Sequence, residues 1–99
     1  MPILLLSLFS AGQAVAHDIS AGESVYQKDC KTCHGPTAKG MAVFPKLAGN
    51  SADYLVSRLD KYRAGESVGP NTPLMAPIAK KLSDEDIANV AAYIAATFK

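Results

Sequence analysis

The sequence has no tryptophan, only two cysteines and two histidines, and almost no net charge: across 99 residues, ten Lys and Arg stand against nine Asp and Glu. Each shortage removes a class of protein. Two cysteines allow one disulfide at most, which excludes a disulfide-rich scaffold. A formal charge of +1 excludes a nucleic-acid binder that relies on a strong positive field. The length leaves no room for a multi-domain enzyme. Large apolar side chains are scarce as well. From His17 onward, 16 of 83 residues are Leu, Ile, Val or Phe, below the roughly 20% that marks disorder when net charge is high. With the charge near zero, the composition reads instead as a folded chain with a thin core. Such chains borrow stability from a disulfide, a metal or another non-protein element.

What is there begins with a short apolar run, Ile3 to Phe9, too short to span a bilayer. Ala14-Val15-Ala16 follows with the small-x-small pattern of a signal-peptidase site. Residues 1–16 are therefore expected to be a signal peptide and residues 17–99 the mature domain; the competing reading is an N-terminal anchor or a buried apolar helix. Export places the domain in the periplasm, with no stable membrane insertion after cleavage.

The mature chain shows no internal repeat, low-complexity tract or charge block. Three helical stretches are separated by Gly/Pro-rich loops. The first is expected from about Ser20 to Thr32, with Ser20 as cap and Glu23 completing a capping box. The second starts from Ser51, carries Tyr54, Leu55, Leu59 and Tyr62 on one broad side, and stops at Gly65. The third has Ser83 as cap, Asp84, Glu85 and Asp86 at its positive end, and Ile87, Val90, Ala91, Ile94 and Phe98 at helical spacing. A further helical turn or two is expected around Pro77 to Leu82. Strand signals are almost absent, so the fold class is all-α.

The chemistry is concentrated in Cys30-Lys31-Thr32-Cys33-His34, an uninterrupted C-x-x-C-H, the attachment signature of a c-type haem. Two thiols three residues apart at a helix end lie on one face, where they add to the two vinyl groups along one haem edge. The histidine that follows is then held beneath the iron as an axial ligand. Other readings compete. A thioredoxin-like redox pair requires a βαβ context, and no strand precedes the motif. A zinc site requires four ligands, and beyond the cysteines there are only His34 and His17. A structural disulfide leaves the adjacent His34 unexplained. For a sixth iron ligand two methionines remain, Met41 and Met75. Met41 follows His34 closely, in a stretch still covering the proximal side. Met75 lies in the proline-rich segment Pro70 to Pro77, far enough along the chain to pass around the haem edge. An open sixth position is the remaining alternative.

These features together resemble the class I cytochromes c, in particular the small bacterial monohaem proteins, over the whole mature chain. The resemblance implies a cytochrome c fold: three main helices and short turns around one covalently attached haem c, with the N- and C-terminal helices crossing. The family's glycine and aromatic at that crossing match Gly22 and Tyr26, answered by Val90 and Tyr93. It also implies a Met ligand from a loop just before the C-terminal helix, matching Met75, and a proline carbonyl accepting from the ligand histidine, matching Pro45. Leu47, Tyr54, Leu55, Leu59 and Ile78 are expected to wall the pocket, with Arg58, Tyr62 and Asn71 offering polar ends to it. The function this implies is single-electron transfer in the periplasm between redox protein partners, with the protein a monomer or part of a heteromer. Two alternatives stand beside it: an electron-accepting subunit of an oxidoreductase, for example one oxidising a sulfur compound, and a ligand-binding sensor or weak peroxidase.

Overall fold

The computed structural model describes residues 17–99. The expected signal segment lies outside them. Among the described residues there is no strand, only an isolated bridge between Met41 and Phe44, and no helix is long and apolar enough to cross a membrane. The fold is all-α.

Helix α1 (Ile19–Val25) runs through one π-helical turn (Tyr26–Cys30) into α2 (Lys31–His34). Its cap is Asp18, whose carboxylate accepts from the Ala21 N–H at 2.9 Å. Ser20, expected to cap it, is already helical. A long-range contact explains the earlier start: the Asp18 N–H donates to the side-chain oxygen of buried Asn89 at 3.0 Å, which fixes Asp18 where its carboxylate closes the first turn. The chain leaves α2 at Gly35, where φ is 92° and ψ is 164°, a conformation closed to side chains with a Cβ. The helix therefore ends directly after His34.

Helix α3 (Ala52–Arg63) starts from Ser51, whose hydroxyl accepts from the Tyr54 N–H, and ends before Gly65. Helix α5 (Asp84–Thr97) opens with a reciprocal capping box between Ser83 and Asp86. Between them lies α4 (Thr72–Lys80), longer and earlier than the short turn expected around Pro77. Pro73 does not forbid its start, and Pro77 is carried inside the helix. Pro73 sits in the first turn, where no N–H is needed, and the Thr72 hydroxyl accepts from the Val68 and Gly69 N–H groups while donating to the Gly69 carbonyl. Met75 is thus held on a helix rather than on a proline-stiffened loop.

The core is the crossing of α1 with α5, closed on one side by α3. Gly22 makes that crossing possible. A Cβ there would lie 2.1 Å from the Asn89 carbonyl oxygen and 2.9 Å from the Tyr93 Cβ. One turn on, Tyr26, Tyr93 and Phe98 form an aromatic cluster with ring centroids 5.4 to 5.9 Å apart. Arg63 locks the far end of α3 in place, donating to the Leu82 carbonyl and pairing with Asp60 and Asp84.

Tyr26 is fully buried and donates its phenol to the Gly35 carbonyl. Burial pushes this phenol up to about 12. The unfolded chain releases the same proton near pH 10, roughly the ordinary tyrosine value. Stability from the neutral phenol is therefore whole below about pH 10 and is lost as pH rises toward the native value. In a phenolate absorption titration, Tyr26 is expected to ionise late, above the ordinary tyrosine range. Burial raises the Tyr93 phenol as well, so Tyr26→Phe should reduce the late-titrating amplitude by one tyrosine; a variant that keeps the full late amplitude would contradict the assignment.

Candidate functional site

A cleft of about 310 Å³ opens between the end of α2, the loop after it, α3 and α4. Cys30, Cys33 and His34 form one wall. Phe44 and Pro45 come from the loop, Arg58 and Tyr62 from α3, and Pro70, Asn71, Leu74, Met75 and Ile78 from the segment containing α4. Two ties hold the sides in register. His34 Nδ1 lies 2.8 Å from the Pro45 carbonyl, and the Asn71 side-chain amide donates to the Val43 carbonyl at 3.0 Å.

The first tie sets the chemistry of the histidine. A carbonyl only accepts, so Nδ1 carries the proton and Nε2 keeps its lone pair. Burial lowers the imidazole's proton affinity, partly countered by the bond to Pro45. A neutral ring in this orientation is a metal ligand rather than a general acid.

Both cysteines are free thiols, half-buried at the cleft. Burial, reinforced by the charge of Asp29, pushes the Cys30 thiol up to about 12. Reactive redox cysteines show the opposite, a depressed value that supplies thiolate. The environment of Cys30 therefore does not suit a thioredoxin-like pair. A zinc site is not built either: among the described residues no three His, Cys, Asp or Glu side chains cluster to hold a metal ion.

The donor set does fit a covalently held haem. Two cysteine side chains and an imidazole with a free lone pair share the cleft with a thioether, Met75. Phe44, Leu74 and Ile78 supply apolar wall for a macrocycle. Met41, the other methionine considered, is half-exposed and does not border the cleft. Arg58 brings a positive charge to the rim, its guanidinium 5.7 Å from the Tyr54 ring centre and 5.9 Å from that of Tyr62. Among the residues that line the cleft it is the one cation.

Of the side chains expected to wall the pocket, Pro45 and Ile78 border the cleft. Leu47, Tyr54, Leu55 and Leu59 do not. Leu55 is in the core, with Leu47 and Leu59 packed against it, and Tyr54 is exposed beside Arg58. The helical period gives the reason. Leu55 and Leu59 share one stripe of α3, which faces the core, whereas Arg58 and Tyr62 lie on the neighbouring stripe, which faces the cleft. Reading Tyr54, Leu55, Leu59 and Tyr62 as a single side merged the two. Phe44, Leu74 and Asp29 also border the cleft and were not anticipated. On a helix Leu74 shares a face with Ile78, one turn on, and a loop over that segment gives no such relation.

Comparison with known proteins follows the same outline. A family model described as cytochrome c matches residues 19–98. Cytochrome c-554(548) of Halomonas halodenitrificans is 48% identical over 79 residues, covering 79% of this chain and 94% of that protein. A thiosulfate dehydrogenase electron acceptor of Stutzerimonas stutzeri is 42% identical over 103 residues, covering 94% of this chain and 43% of its own length. The crystal structure of reduced recombinant cytochrome c4 from Pseudomonas stutzeri superposes with a TM-score of 0.68 at 32% identity, over 77% of this chain and 46% of that one. The chain thus spans nearly all of the first relative and less than half of each of the other two.

Proposed function

The chain belongs to the cytochrome c family, electron-transfer proteins with covalently attached haem c, and on that premise we propose that it is a periplasmic single-electron carrier whose haem is held by Cys30, Cys33, His34 and Met75. The observation that carries this reading is the convergence of those four side chains on one cleft, with His34 oriented by the Pro45 carbonyl.

When bound, the haem supplies a one-electron couple between ferric and ferrous iron. Cys30 and Cys33 anchor the group through thioethers, so a small protein retains it without enclosing it. His34 and Met75 would hold the iron, and a thioether donor would favour the reduced state and raise the potential. Phe44, Leu74 and Ile78 exclude water from one part of the cleft, and Arg58 neutralises carboxylate charge at its rim. The periplasmic location rests on the export signal read in residues 1–16.

A second reading is supported by the Stutzerimonas relative, whose name describes an electron acceptor of a dehydrogenase. The same site then serves as the accepting subunit of an oxidoreductase. Isolation from the native organism separates the two: a carrier elutes alone, and a subunit elutes with its catalytic chain.

The axial assignment is tested with two methionine variants. Met75→Ala is expected to lose the weak red band of an iron–thioether bond, to bind carbon monoxide in the ferrous form and to lower the midpoint potential. Met41→Ala should change none of these. A red band that survives in Met75→Ala would remove Met75 from the site.

A further inference from the structure

One charged pair beside the cleft has no part in holding the cofactor. Asp29 lies in the π-helical turn, next to Cys30, and its side chain is 8% exposed. Its partner is Lys81, just past α4, with Nζ 3.3 Å from the carboxylate and a side chain 59% exposed. The two members differ in where they sit. Asp29 borders both the cleft and a shallower surface groove behind it, whereas Lys81 borders the groove alone. The negative end of the pair is thus on the shared wall and the positive end on the solvent side.

We propose that Asp29 and Lys81 set the reduction potential of this cleft, the carboxylate lowering it and the ammonium partly offsetting that effect. This rests on the reading that the haem occupies the cleft. Oxidation adds one positive charge there, and a buried anion on the wall stabilises that charge through a low-dielectric medium. Lys81 opposes it less strongly, because water and ions screen an exposed ammonium. The field of Asp29 already reaches the attachment site, as its contribution to raising the Cys30 thiol indicates. A pair retained only for stability gives no reason for this asymmetry, since a half-exposed ion pair contributes little to folding.

The test uses the holoprotein and measures the midpoint potential by spectroelectrochemistry, with the red iron–thioether band recorded for each variant. Asp29→Asn is expected to raise the potential and Lys81→Gln to lower it by a smaller amount. Raising ionic strength from about 0.01 to 1 M shortens the screening length from about 30 to 3 Å. That should abolish most of the Lys81→Gln shift and leave most of the Asp29→Asn shift. Midpoints that stay at the parent value while the red band is intact would overturn this proposal and leave the axial assignment standing. Absence of the band from the parent protein would instead overturn the axial assignment. If Asp29→Asn yields no holoprotein, Lys81→Gln decides alone: a salt-sensitive fall supports the proposal, and no change or a rise overturns it.

Discussion

The double variant Cys30→Ala, Cys33→Ala is expected to accumulate as a chain without cooperative structure. The buried apolar set of the described residues is small: Tyr26, Ala38, Leu55, Ala79, Leu82, Ile87, Val90, Ala91, Tyr93 and Ile94. Three of these are alanines, and most of the rest belong to the crossing of α1 with α5. The other half of the domain is arranged around the cleft. There Phe44 from the loop and Leu74, Met75 and Ile78 from α4 line the cleft wall instead of joining the packed core. A domain of this size has a net stability of about 5–15 kcal/mol at best, and each large apolar side chain left in water forgoes roughly 1.5–3 kcal/mol. Leaving the cleft wall solvated therefore removes most or all of the margin. Far-UV circular dichroism and a thermal melt check this. The attached protein should show a helical spectrum and one sigmoidal transition, and the variant a weak spectrum with no transition. A variant melting cooperatively near the parent temperature would show that protein packing alone sustains the fold.

That dependence explains which parts of the molecule were legible in the sequence. Elements fixed by local chemistry read directly: the Ser51 and Ser83 caps, the stop at Gly65, and the apolar stripe of α5 all lie within a turn or two of the residues that specify them. The C-x-x-C-H motif is also local. Elements settled by distant contacts did not read. Nothing near Ser20 announces that Asn89 will hold Asp18 and move the cap two residues back. The proline-rich segment looked like a loop because Pro73 and Pro77 seem to forbid a helix. In fact Pro73 falls in the first turn, and Thr72 closes the turn before it with its hydroxyl. The π-helical turn that carries Asp29 to the cleft has no sequence signature. Within α3 the apolar pattern was correct, but its division between a core stripe and a cleft stripe depends on where the cleft lies. The missing apolar volume was visible as a number, and its location was not.

Gly22→Ala is expected to destabilise the domain strongly, although helix propensity argues the other way. In an exposed helix the change would stabilise by about 1 kcal/mol. At the crossing, however, the new Cβ would lie 2.1 Å from the Asn89 carbonyl oxygen and 2.6 Å from its carbon. Those atoms are backbone, so no rotamer change relieves the clash, and α1 and α5 must move apart. Separation loosens the Tyr26, Tyr93 and Phe98 cluster and pulls the Asp18 N–H from the Asn89 side chain. Overpacking of this kind costs about 1–3 kcal/mol, occasionally more, and the direct backbone collision places Gly22 at the upper end. The packing term wins. At roughly 4–8 °C per kcal/mol for a domain of this length, a net loss of about 2 kcal/mol lowers the melting temperature by about 8–16 °C. Gly22→Val, with a branched side chain in the same space, should be worse than Ala. A Gly22→Ala protein as stable as the parent would mean that the two helices cross with room to spare, and the crossing would lose its role as the structural core.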